Sequence, residues 1–105
     1  MKLKLAHVAE VIRSKNSGPY ELTFDIIFRE WSVFDRVCKA KAVTRDLIAG
    51  LYNIPSEKVI SIVEFKPAKA IKATIVRPFA SGNLGETDVY GAQQHAPLLN
   101  VELEV

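Results

Sequence analysis

Thr87, Asp88, Tyr90, Gln93, Gln94 and His95 crowd into one short stretch, residues 87–95. Together they supply a hydroxyl, a carboxylate, a phenol, two amides and an imidazole, enough donors and acceptors to hold a small polar molecule or to move a proton. Gly82, Gly85 and Gly91 lie in and before this stretch. Their spacing does not match the phosphate-cradling glycine motifs, and no Gly-Lys-Ser/Thr follows, which argues against a nucleotide loop. The residues are read as a recognition segment in which Asp88, Tyr90 and His95 are the candidate catalytic groups and Gln93 and Gln94 bind substrate. The alternative is that the same side chains satisfy the loop's own backbone. A second polar stretch, RSKNSGPY at 13–20, sets Arg13 and Lys15 beside Ser14, Asn16 and Ser17 at a glycine-containing turn. Two cations and turn amides make a nest for a carboxylate or phosphate, so Arg13, Ser14, Lys15 and Asn16 are candidate substrate-binding residues. Capping of a helix end uses the same residue types.

Other chemistries find less support. His7 and His95 are far apart, no paired His or Cys spacing exists, and no metal or cofactor is expected. Glu86 with Asp88 is the one acidic pair that a hard cation could use. Cys38, the single cysteine, cannot form an internal disulfide and reads as a small hydrophobe on an amphipathic helix. Nothing beside it in sequence would activate a thiolate nucleophile.

With 105 residues, 49% of them hydrophobic and 25% charged, the chain is expected to fold as one globular domain over residues 1–105. The formal net charge of +2 is too small to indicate nucleic acid, but its distribution is uneven. Every Lys and Arg lies at or before Arg77, while Glu86, Asp88, Glu102 and Glu104 are the only charged side chains after it. Either this is local bias on a solvated surface, or a basic surface receives an acidic partner or ligand. Lysines and acids interrupt every apolar run well short of the roughly 20 residues that span a membrane. The first residues lack the pattern of a secretory signal, and a reducing cytoplasm is the expected location.

The elements that must position these residues follow from periodicity. Leu5, Val8, Val11 and Ile12 recur at helical spacing and predict a first helix over 5–14, stopped by Lys15-Asn16-Ser17-Gly18-Pro19. Leu22, Phe24, Ile26 and Phe28 alternate, predicting a central strand. Trp31, Phe34, Val37 and Cys38 mark a helix; Thr44 is an N-cap for Leu47, Ile48 and Leu51, so that two short helices or one broken near Lys41 fit equally. A β-branched strand over 59–65 and a second over 71–76, joined by Lys66-Pro67-Ala68-Lys69, predict an antiparallel hairpin. Leu99, Val101, Leu103 and Val105 alternate as a terminal strand with one solvated face. The order predicts an α+β fold: a mixed sheet of about four strands with helices packed on one side.

In VIRSKNSGPYELTFDIIF, AIKATIVRP and GETDVYGAQQHAPLL the chain resembles a family of small bacterial proteins defined as a domain of unknown function, number 4387. That family is similar to the C-terminal domain of AtuA-like (acyclic terpene utilisation) proteins. In those proteins a Ser-Gly-Asp-Lys-Gly loop stands between a first helix and a strand, and a glycine-rich segment precedes the last strand. Ser14 to Gly18, with the Asp replaced, and Gly82 to Gly91 would take these places. The resemblance implies the small companion of an AtuA-like large component, in small carboxylic acid metabolism, with a hydro-lyase reaction (hydratase or dehydratase). Arg13 and Lys15 would then hold a substrate carboxylate while Asp88, Tyr90 or His95 handles a proton. The competing expectation is a stand-alone homo-oligomer that binds a ligand without catalysis.

Overall fold

A computed structural model describes residues 2–18, 20–76 and 96–105. The expected α+β class holds. Strand β1 (Lys2–Lys4), a short helix α1 (Leu5–Val8) and strands β2 (Ala9–Gly18) and β3 (Glu21–Phe28) open the chain. Helices α2 (Trp31–Ala40) and α3 (Arg45–Tyr52) follow, then β4 (Val59–Phe65), β5 (Ala70–Val76) and β6 (Glu102–Glu104). The four-stranded sheet has the order β2-β3-β5-β4, and each neighbouring pair in it is antiparallel. A second, two-stranded sheet pairs β1 with β6.

The central strand behaves as its alternation requires. Leu22, Phe24, Ile26 and Phe28 of β3 are buried, and their register partners Ile75, Ala73 and Ile71 on β5 extend the same apolar face. Phe34 and Val37 of α2 and Ile48 and Ala49 of α3 share the core with this inner face. Phe24 stacks on Tyr52 with ring centroids 4.5 Å apart, and Phe28 meets Phe34 edge-on at 6.1 Å, the offset geometries that aromatic quadrupoles favour.

The helical region resolves into two helices. Lys41 takes a left-handed conformation (φ 49°) and ends α2, and Thr44 Oγ1 then accepts the Leu47 amide at 3.1 Å as the N-cap of α3. After β4, a single 3-10 turn at Lys66–Ala68 with Lys69 left-handed (φ 53°) closes the expected hairpin into β5.

Three expectations are corrected. The four-stranded sheet is antiparallel throughout and not mixed. Residues 5–14 are not one helix: only Leu5–Val8 is helical, and Ala9 onward is strand. The cause is a β-bulge. Ala9 faces Phe28 while Val11 faces Ile27, so Glu10 is an extra residue that breaks the period of two and leaves apolar residues at spacings resembling those of a helix. At the C-terminus, strand character is confined to Glu102–Glu104, and Ala96–Asn100 forms a 3-10 turn. Leu98 rather than Leu99 is buried there, and β6 pairs with β1 instead of joining the larger sheet. Val101 and Leu103 do alternate into the core as predicted.

Candidate functional site

Strand β2 reaches Gly18, so Arg13 to Asn16 lie within a sheet and not in a loop at a helix end. This correction decides where each side chain goes, because successive residues of a strand face opposite ways. Ser14 and Asn16 stand opposite Phe24 and Leu22 on the inner face. Ser14 is buried, and each of the two is engaged in a contact of its own. Arg13 and Lys15 stand opposite Asp25 and Thr23 on the outer face. The four substrate-binding candidates therefore divide into two pairs, and only Arg13 and Lys15 stand on the outer face.

Three rows of that outer face can be traced across all four strands. Val11, Ile27, Ala70 and Phe65 make one row; Arg13, Asp25, Lys72 and Val63 make the next; Lys15, Thr23, Thr74 and Ser61 make the third. In the middle row Arg13 Nε donates to Asp25 Oδ2 at 3.0 Å. Asp25 is 2% exposed, and its other oxygen, Oδ1, is buried without a hydrogen-bond partner. Lys72, in register with Asp25 on the other side, extends over the Phe65 ring, 5.4 Å from its centroid, a cation–π placement. Below them the Thr23 and Thr74 hydroxyls share a hydrogen bond of 3.1 Å, the cross-strand pairing expected of threonines directly opposite. Arg13, Lys15 and Lys72 thus share one face with a single buried carboxylate, a face able to attract a small anion.

Asp25 was missed in the sequence because it reads as the polar half of a strand's alternation. Its one signal is a single acid flanked by the aromatic and aliphatic residues of FDII. Matching it to Arg13 requires the hairpin register, which a helical reading of 5–14 hides. Asp88, Tyr90 and His95, with Gln93 and Gln94, lie outside the described residues, as does the question of whether they approach Arg13 and Lys15.

A hollow of about 650 Å³ lies between the α2–α3 connection and β4. Of its lining, Thr44 caps α3 and Arg45 Nη1 donates to the Val59 carbonyl. Cys38 is half-buried against the core, and burial, reinforced by a hydrogen bond to Glu64, pushes its thiol up to about 11. At neutral pH it is held as the thiol and not the nucleophilic thiolate. Among the described residues no three His, Cys, Asp or Glu side chains converge in a metal-holding group, and no helix is long and apolar enough to cross a membrane.

No curated protein and no solved structure matches the chain. The family model described as a domain of unknown function (DUF4387) matches residues 5–102, which takes in all four strands of the larger sheet and the three helices between β1 and β6. The chain belongs to that family.

Proposed function

We propose that this protein is the small companion of an AtuA-like large component, that it lies in the cytoplasm, and that it contributes an acid-holding surface to a hydro-lyase acting on small carboxylic acids. The observation that carries this reading is the outer sheet face, where Arg13, Lys15 and Lys72 stand in adjacent rows around the threonine pair while the core-forming helices pack on the inner face. Cations set on a sheet are held more rigidly than cations on a loop, and such positioning suits a surface that orients a substrate for chemistry supplied largely by a partner. In this division of labour Arg13 and Lys15 hold the carboxylate, and Asp88, Tyr90 or His95 exchanges the proton that addition or removal of water requires. The family's similarity to the AtuA-like C-terminal domain, with Ser14 to Gly18 and Gly82 to Gly91 in the places of its loop and glycine-rich segment, supports the choice of partner.

Co-expression with an AtuA-like protein tests the reading. A stable complex with hydration or dehydration activity, weakened by Arg13→Ala and by His95→Ala, is the expected result. Turnover unchanged in both variants would sink it.

A second reading has its own support. Strand β4 is an edge of the sheet, and its Ile60, Val63 and Phe65 are 44%, 49% and 45% exposed. Exposed apolar edge strands pair readily with further strands, which favours a stand-alone homo-oligomeric binding module. A lone oligomer that gains thermal stability on adding a small acid, and that fails to co-purify with the large component, supports this version.

A further inference from the structure

A buried carboxylate oxygen without a donor is costly. Leaving such an acceptor unsatisfied forfeits the hydration it had in the unfolded chain, and the loss is greater where the group is charged. Asp25 Oδ1 is in that position, although Asp25 is flanked in register by two long cationic side chains. Arg13 spends its Nε on Oδ2, and Lys72 lies over Phe65. The carboxylate is thus held in place by one oxygen while the other keeps its hydrogen-bonding capacity in reserve.

We propose that Asp25, Arg13, Lys15 and Lys72 form a binding site for small hydroxycarboxylates, in which the ligand's hydroxyl donates to Asp25 Oδ1 and its carboxylate is taken by the cations. The inference rests on reading Arg13 and Lys15 as carboxylate holders, but not on the partner or the reaction. Two observations select the ligand class. An acceptor in need of a donor calls for a hydroxyl or an ammonium. The middle and lower rows carry three cations and a single carboxylate, so an ammonium would be repelled where a neutral hydroxyl is not. The distance between functions is short, because Arg13, Asp25 and Lys72 are consecutive across neighbouring strands, spaced about 5 Å apart. A hydroxyl within a few bonds of the carboxylate spans that gap. Oδ1 is closed to solvent, and its neighbours in the row on either side are long side chains, so that admitting a ligand asks Arg13 and Lys72 to change rotamer while the sheet stays in place.

The test compares matched acids with the isolated full-length chain, by calorimetry and thermal shift: malate against succinate, and citrate against tricarballylate, each pair differing by a hydroxyl. The hydroxylated member is expected to bind about tenfold tighter or more, the worth of a hydrogen bond to a charged acceptor. Asp25→Asn should collapse that preference, and Lys72→Met should weaken all four acids together while leaving it intact. Should Asp25→Asn fail to fold, the Asp25 carboxyl carbon resonance of the unmodified protein decides: at saturation it should move further with malate than with succinate, and equal movement overturns the hydroxyl assignment. Equal binding within each pair overturns the hydroxyl assignment and leaves the carboxylate-holding role standing. Absence of binding by any of the four acids overturns both. The partnership itself is judged separately, by co-purification.

Discussion

The two faces of the four-stranded sheet are built from the same strands and obey different rules. Inward, β3 presents Leu22, Phe24, Ile26 and Phe28 to two helices, and nearly every contact is apolar. Outward, the same strand presents Thr23, Asp25 and Ile27, with Asp25 between Arg13 of β2 and Lys72 of β5. The inner face is stabilised by area removed from water, which is forgiving of chemical identity but not of volume. The outer face depends on specific partners, and it leaves one acceptor unsatisfied. A surface that retains such a cost where an apolar residue would avoid it is a place to look for binding.

Measurements on each face test this contrast, in descending order of magnitude. Phe24→Ala removes a fully buried ring stacked on Tyr52 and should cost about 3–5 kcal/mol in urea unfolding; a loss under about 1 kcal/mol would show that the inner face is not the main support. On the same side, alkylation of Cys38 at neutral pH should run about 100-fold slower than for a thiol at its usual value of 9.0, since its thiol is raised to about 11. The sign for stability follows. The folded protein favours the neutral thiol, so this contribution is complete below pH 9.0 and is lost as the pH rises toward about 11; burial raises Tyr52 in the same direction. Unfolding free energy that did not fall over this range would contradict the buried setting of both groups. On the outer face, Arg13→Met should cost about 1–2 kcal/mol. Its exposed guanidinium gains little from Coulomb attraction, but its loss leaves Asp25 buried without its donor. Combining Arg13→Met with Asp25→Leu should recover much of that loss, which would identify the row as costly to stability in its present form.

The inner face was legible because the spacing of apolar residues is a burial signal: alternation gives β3 and β5, a β-branched run gives β4, and helical spacing with the Thr44 cap gives α2 and α3. The N-terminal strand was hidden by one residue. The extra Glu10 converts a period of two into spacings of three, which periodicity assigns to a helix, and the positions of Arg13 and Lys15 were misjudged with it. Asp25 was hidden for a different reason, since a buried acid on a strand's second face acquires meaning only when the neighbouring strands and their register are known. The terminal strand was half legible. The alternation of Val101 and Leu103 was visible, but the partner that accepts it stands at the opposite end of the chain.

That partnership bears on how the chain folds. Lys2 and Lys4 stand opposite Glu104 and Glu102, around the Leu3–Leu103 pair, and the Leu5 amide donates to the Val101 carbonyl at 2.9 Å. Closing a loop that encloses nearly the whole sequence carries the largest entropic cost of any contact here, whereas the β2–β3 and β4–β5 hairpins close short ones. The ribbon is therefore expected to form last, after the sheet has brought its two ends together. Hydrogen exchange at β1 and β6 should accordingly report the first step of unfolding, releasing the ends while the four-stranded sheet is still intact.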